Sequence, residues 1–184
     1  MIRKILRSGD PKLREISKPV IKIDSKILKL VQDLKETLAV QKDPEGVGLA
    51  APQIGKNLRV FAVNYKDFKK VFINPKILEA HASPAAKDKP PTAKSDILEG
   101  CLSLPNYYGS LKRNQKLKVK YQIPEKINGQ WSIINKVEEF KGFYAQIILH
   151  EIDHLNGVLF IDRLLENKKP LYKLSGDKWE EVDL

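Results

Sequence analysis

The stretch LHEIDHLNGV at residues 149–158 constrains the fold most, because it places two of the three histidines four residues apart. An α-helix turns about 100° per residue, so His150, Glu151 and His154 fall on one side of it. Two imidazoles on one helical face can bind a single metal ion. A carboxylate beside them can take a proton from water next to that ion. The alternative is a pair of hydrogen-bonded core histidines.

The rest of this helix is predicted to separate an apolar back from a mixed front. A mostly apolar run extends from Gly142 to Leu155, and Asn156-Gly157 follows as expected at a helix C-terminus. The back, suited to packing against a sheet, carries Ile148, Ile152 and Leu155. The front, shared with the histidines, carries Phe143, Gln146 and Ile147. A buried helix with a pocket wall on its front is therefore expected.

A tetrahedral catalytic metal site usually has three protein ligands and an open position. The acids that follow His154 most closely are Asp162 and Glu166, and they fit the usual extensions of this motif poorly. Cys101, the single cysteine, is the best remaining candidate for the third ligand. Its alternative role is that of a small buried hydrophobe. A lone cysteine also excludes an intrachain disulfide.

The remaining pattern predicts an α+β domain with antiparallel strands. Asp24-Ser25 is an N-cap signal for an amphipathic helix that ends before 43–46. The segments with strand composition or alternation are 58–63, 70–75, 117–123 and 131–140. Asn128-Gly129 is a turn signal between the last two.

Several connecting segments have distinct compositions. Residues 46–55 are rich in small residues and are expected to be flexible, whereas 99–105 are predicted to form a compact turn before a strand. Residues 79–96, which include His81, are rich in Pro, Ala and Lys and predict an exposed loop insertion. The tail, 168–184, predicts a short hairpin. We expect one catalytic domain over 1–184.

Charge and hydropathy limit the environment of the protein. The net charge is +10, which favours either attraction to ribosomes and nucleic acid or a solvated lysine-rich surface. The N-terminal segment has no apolar run of signal-peptide length, and nowhere do about 18 apolar residues follow one another. The sequence therefore predicts a soluble cytoplasmic protein without a membrane segment.

Three motifs stand in a characteristic order: GVGLAAPQ at 46–53, EGCLSLP at 99–105 and HEIDHLNG at 150–157. Together they resemble the peptide deformylases, and weaker similarity covers most of the chain outside 79–96 and the tail. The resemblance implies an α+β fold in which antiparallel strands surround a central metal-binding helix. It also implies removal of the formyl group from N-formylmethionyl nascent polypeptides, with release of formate.

The resemblance further implies roles for individual residues. The metal ligands would be Cys101, His150 and His154, holding one divalent ion. Fe(II) is expected natively, and Zn, Ni or Co can occupy the same site. Glu151 would be the general base, while the Gln53 side-chain amide and the Leu102 backbone N–H would stabilise the oxyanion. The candidate substrate-binding residues are Gly46, Val47, Gly48, Ile97, Glu99, Gly100, Phe143, Gln146 and Ile147.

Two positions depart from the family pattern. Leu149 stands where the family commonly has Gln, and Gln146 introduces a polar group on the pocket side. All catalytic positions are nonetheless intact, so an active, monomeric enzyme is expected. Two alternatives stay open at this point. One is a zinc endopeptidase indifferent to Cys101→Ser, and the other is a basic ribosome-associated protein with a structural metal.

Overall fold

A computed structural model describes residues 1–42, 44–81 and 98–183, and these residues form an α+β fold. The α-helices of this part of the chain are α1 (Ser25–Ala39), α2 (Phe143–Leu155) and α3 (Phe160–Glu166). Asp24 caps α1 by accepting a hydrogen bond from the Ile27 amide at 2.9 Å. Gly142 precedes the first residue of α2. The predicted start of α1 and both bounds of α2 are confirmed, whereas α1 ends at Ala39, before the predicted stop at 43–46.

A five-stranded antiparallel sheet forms the larger layer. Its strands, in spatial order, are β1 (Gly48–Ala50), β2 (Val60–Tyr65), β3 (Phe68–His81), β6 (Lys116–Ile127) and β7 (Gln130–Lys141). A turn at Asn128-Gly129 joins the last two, and both residues have the positive φ that such two-residue hairpin turns require. The predicted hairpin between 117–123 and 131–140 is confirmed and extends beyond those bounds.

A four-stranded antiparallel sheet forms the second layer. Its strands, in spatial order, are β4 (Leu98–Cys101), β5 (Leu104–Ser110), β8 (Leu171–Ser175) and β9 (Lys178–Val182). The last two strands form the tail hairpin, so the tail adds directly to the sheet that carries Cys101. Helix α3 packs on this sheet, and Phe160 and Leu164 share a buried cluster with Cys101.

The larger sheet is covered on both faces at β2 and β3, because alternate residues of a strand point to opposite faces. On one face Phe61 and Phe72 pack with Ile148, Ile152 and Leu155 of α2, which confirms the predicted apolar back of that helix. On the other face Val60, Ala62 and Ile73 pack with α1. Each fully buried Leu, Ile or Phe contributes roughly 1.5–3 kcal/mol. Helix α2 is thereby fixed against the sheet.

Two local predictions were wrong, and a third was right. Residues 79–81 do not begin a loop, because β3 continues through His81, which is paired with Lys116 of β6. The motif at 99–105, by contrast, contains the predicted turn before a strand, within a tight hairpin between β4 and β5. The segment expected to be flexible instead contains β1 and a buried 3₁₀ turn at Ala51–Ile54. The rest of the predicted loop, 82–96, lies outside the described residues.

No helix in the described part of the chain is long and apolar enough to cross a membrane.

Candidate metal centre and cleft

Three buried side chains from two layers bring their donor atoms together. Cys101 ends β4, whereas His150 and His154 lie one turn apart on α2. One donor atom from each of these residues lies within 4.8 Å of those of the other two. The Cys101 Sγ is 3.2 Å from Nε2 of His154. Residues 49 positions or more apart in sequence thus converge on one point.

Glu99 fixes the orientation of the His150 ring. Its Oε1 lies 2.6 Å from Nδ1 of His150, so this ring nitrogen donates to the carboxylate and Nε2 faces the other donors. Arg113 donates to both oxygens of Glu99, at 2.7 and 2.6 Å. Burial opposes ionisation of Glu99, but Arg113 and His150 lower its pKa to about 2. Glu99 is therefore an ionised partner for the imidazole.

The charge network continues from the sheet into both helices. Arg113 also donates to Asp153 of α2 at 2.8 Å, and Asp153 in turn accepts from Arg163 of α3 at 2.7 and 3.2 Å. Arg113 is only 8% exposed at its side chain, whereas Arg163 is 37% exposed. Two carboxylates and two guanidinium groups therefore balance in charge beside the donor cluster. Their fork geometry couples α2 and α3 to the second sheet.

The Gln53 amide is held in one orientation. Its Oε1 accepts from the Ala50 amide at 2.8 Å, so the amide nitrogen points to the second sheet. That nitrogen donates to the Ser103 hydroxyl at 3.2 Å and lies 3.5 Å from the Cys101 sulfur. The N–H group of Gln53 therefore points toward the cluster of Cys101, His150 and His154. It lies beside Leu102 in the β4–β5 turn.

Glu151 lies against β1, at the wall of the cleft. A Cβ at Gly48 would collide with its carboxylate, so this close approach of strand to helix requires glycine. Burial raises the pKa of Glu151 to about 7, against the opposing influence of His150 and His154. Its Oε2 is buried without a hydrogen-bond partner among the described residues. The carboxylate therefore sits where it can exchange a proton with a bound molecule.

The cysteine and the first histidine favour a charged pair. Burial opposes ionisation of Cys101, but the adjacent His154 and His150 hold its pKa well below the ordinary value. Burial likewise disfavours the His150 imidazolium, but Cys101 and Glu99 hold its pKa well above the ordinary value. A thiolate is the form in which cysteine binds a metal ion.

This donor set fits a divalent transition-metal ion. One sulfur and two imidazole nitrogens suit Zn, Fe, Co or Ni, which accept tetrahedral nitrogen and sulfur coordination. Among the described residues, Oε2 of Glu151 and Nδ1 of His154 are buried without a hydrogen-bond partner, and bound water commonly satisfies such atoms. The residues present therefore fit a divalent ion of this kind.

A cleft of about 300 Å³ lies in front of the donor cluster. Most of the candidate substrate-binding residues line it, namely Val47, Gly48, Glu99, Gly100, Phe143, Gln146 and Ile147. Gln53, Cys101, Leu102, His150 and Glu151 line it as well. The front of α2 is therefore a cleft wall as well as a metal-binding face.

Three of the candidate substrate-binding residues need separate comment. Gly46 is not among the residues that line the cleft; a Cβ there would meet Leu38, Gln41 and Leu102. Gly48 lines the cleft and also lies close to the Glu151 carboxylate, with which a Cβ there would collide. Ile97 lies outside the described residues. Leu149, which departs from the family pattern, is half-buried against the core that contains α2.

Sequence reasoning missed much of the cleft lining and, apart from Glu99, the charge network behind His150. The additional lining residues are Pro44, Glu45, Tyr65, Leu98, Leu104, Asn106, Tyr107 and Tyr108. Tyr65 packs edge-on against Phe143 with ring centroids 4.8 Å apart. Arg113 and Asp153 were also missed. The Asp153 carboxylate inside the HEIDH motif was a signal, since a charge on a buried helix needs a partner.

Comparison with known proteins supports the resemblance to peptide deformylases along nearly the whole chain. The polypeptide deformylase family model matches residues 2–170. The peptide deformylase of Dictyoglomus thermophilum is 39% identical over 166 residues, or 90% of this chain and 95% of that protein. The crystal structure of Thermotoga maritima peptide deformylase is 38% identical with a TM-score of 0.70, covering 89% of this chain and 97% of that one.

A further solved structure is the Met-Ala-Ser-bound class I type b peptide deformylase from Acinetobacter baumannii. It is 30% identical with a TM-score of 0.68, and the match covers 89% of this chain and 99% of that chain.

An α+β fold with a cysteine–histidine–histidine cluster beside a buried glutamate defines a metal-dependent hydrolase. The matches above identify the family within this class. The chain belongs to the polypeptide deformylase family, and its function is metal-dependent deformylation. Nothing in these matches favours the endopeptidase or the non-catalytic alternative.

Proposed function

We propose that this chain removes the formyl group of N-formylmethionyl nascent polypeptides at the cleft in front of α2. One observation carries the proposal: the donor atoms of Cys101, His150 and His154 lie within 4.8 Å of one another, directly beside Glu151. Water adds to the formyl carbon, the C–N bond breaks, and formate and a free α-amine leave.

Cys101, His150 and His154 hold one divalent ion in this proposal. When bound, such an ion supplies a Lewis acid that lowers the pKa of water toward about 7. Glu99 keeps the His150 ring in the orientation that presents Nε2, because it accepts from Nδ1 at 2.6 Å. We propose Fe(II) as the native ion, with Zn, Ni or Co able to replace it, since the same donors suit all four.

Glu151 moves the proton. Its carboxylate accepts a proton from the attacking water and then delivers it to the nitrogen of the departing α-amine, so the proton balance closes within one turnover. The buried Oε2, which has no hydrogen-bond partner in the part of the chain that the structure describes, is the atom available for this transfer. General acid–base catalysis of this kind contributes typically about 10²–10⁴ in rate.

Gln53 and Leu102 stabilise the oxyanion that forms when water adds to the carbonyl. The Gln53 amide nitrogen is already directed to the reacting centre, because Ala50 fixes its oxygen end. Leu102 adds its backbone N–H from the β4–β5 turn, which lines the cleft. Loss of one such preorganised donor costs about 10²–10³ in kcat.

The same function implies a cellular setting. Formylated nascent chains emerge from ribosomes, so we infer that the protein acts in the cytoplasm and uses its net charge of +10 for attraction to ribosomal RNA. We further propose that the enzyme is monomeric.

The test is formate release from formyl-Met-Ala-Ser by the metal-loaded enzyme. We expect Glu151→Ala to lower turnover by about 10²–10⁴ while the metal stays bound. Cys101→Ser should lose both metal affinity and turnover. Undiminished turnover in the Glu151 variant would contradict the assigned base. Cleavage of internal peptide bonds that survives Cys101→Ser would indicate an endopeptidase instead.

A further inference from the structure

Gln146 is a polar residue beside the apolar residues Phe143 and Ile147 on the cleft side of α2. It is 6% exposed and lines the cleft with Val47, Phe143 and Ile147. It lies on α2 four residues before His150, about 6 Å along the helix axis and on the same face. Gln146 is therefore one helical turn from the metal-ligand candidate His150, on the same wall of the cleft.

The Gln146 carboxamide has no hydrogen-bond partner among the residues described, although its backbone amide bonds to Gly142. In the open cleft, water can solvate this group. A side chain that fills the cleft expels that water, and a buried amide then loses stability unless the ligand supplies a partner. Glutamine at this position therefore favours ligands that bring a polar atom to its carboxamide.

We propose that Gln146 is a specificity-determining residue that donates a hydrogen bond from its amide nitrogen to the thioether sulfur of the substrate's first residue. The proposal rests on the proposed function, which places a methionine side chain in this cleft. The sulfur is the one polar atom of that side chain and is a weak acceptor. A site with a committed donor discriminates against an analogue that lacks the acceptor.

Norleucine provides that analogue, because it has the length and shape of methionine with a methylene in place of the sulfur. The experiment compares kcat/KM for formate release from formyl-Met-Ala-Ser and formyl-norleucyl-Ala-Ser. We expect the wild-type enzyme to favour the methionine peptide by roughly three- to tenfold, the range of one modest hydrogen bond. In Gln146→Met and in Gln146→Leu, the ratio should fall to within about twofold of unity.

The ratio is insensitive to losses that affect both substrates, so partial misfolding or lower metal content of a variant does not imitate the result. Two replacements, one unbranched and one branched, separate the lost donor from a change in shape. Gln130→Met, on an exposed strand residue at the β6–β7 turn, is the matched control and should keep the wild-type ratio.

An unchanged ratio in both Gln146 variants would overturn the proposal, whether kcat/KM stays the same or falls equally for both peptides. In either case the deformylase assignment would stand, because formate would still be released. If the wild-type enzyme released formate from neither peptide, the proposed function would fail, and this inference with it.

Discussion

The carboxylate oxygen Oε1 of Glu99 lies 2.6 Å from Nδ1 of His150, inside a buried network that Arg113 completes. The imidazole that lies beside the cysteine sulfur is therefore held by a charged partner on its far side. Outer partners of this kind raise the basicity of a ligating histidine and fix its tautomer. The metal-binding property of the helix thus depends on a residue of the second sheet.

Glu99→Ala should weaken metal binding by about 10- to 100-fold, because His150 would lose both its orientation and its negative partner. Competition with a chromophoric chelator at fixed pH measures this affinity. Glu99→Gln keeps an acceptor oxygen, so its metal affinity should lie between those of Glu99→Ala and the wild type. Equal affinity in all three proteins would contradict the orienting role.

Arg113→Ala should lower the free energy of unfolding by about 3–5 kcal/mol, because it leaves Glu99 and Asp153 as buried carboxylates without their shared cation. Urea unfolding monitored by circular dichroism measures the change. Arg163→Ala is the comparison, since that guanidinium is more exposed and contacts Asp153 from the solvent side. An equal or larger effect at Arg163 would argue against Arg113 as the centre of the network.

Gly48→Ala should reduce kcat by at least about tenfold with little effect on folding, because the new methyl group would displace the Glu151 carboxylate. Formate release under saturating substrate measures the loss. Gly9→Ala is the matched control, since a Cβ there meets no atom within 4 Å. Full activity in the Gly48 variant would show that Glu151 can act from a shifted position.

Glu138 should stabilise the protein at neutral pH, and this contribution should be lost in acid. Burial raises its pKa, but hydrogen bonds from Lys70 and Tyr121 outweigh that effect and leave the pKa below its ordinary value of 4.5. A depressed folded-state pKa adds stability above the unfolded pKa, and this stability is lost as pH falls through the folded pKa.

Glu138→Gln should therefore show a smaller drop in unfolding free energy than the wild type between pH 6 and a pH of about 3. Unfolding curves of both proteins across this range provide the comparison, and the remaining titrating groups are shared by the two. An equal fall in the free energy of unfolding of both proteins would show that Glu138 does not contribute to the acid sensitivity.

Local patterns were sufficient to predict the parts of the site that lie on one element. The helical spacing of His150, Glu151 and His154 predicted a shared face, and the apolar back at Ile148 and Ile152 predicted the packing on a sheet. The start of α1 followed from its cap signal and the end of α2 from its C-terminus signal, which depend only on neighbouring residues.

Features that depend on distant pairing were not predictable in this way. The strand β3 continues through Glu79 and His81 because β6 pairs with it, and Lys118 bonds to Glu79 across the sheet at 3.0 Å. Arg113 joins Glu99 to Asp153, residues separated by more than 50 positions. Periodicity within a segment carries no information about such partners.

Trp179 of the tail strand β9 packs edge-on against Tyr108, with ring centroids 5.4 Å apart, and Tyr108 lines the cleft. The other of the two tryptophans, Trp131, lies near the far hairpin turn of the larger sheet. Replacing Trp131 with Phe would leave a single indole next to the cleft. Its fluorescence would then act as a built-in optical reporter of ligand arrival, with no added dye.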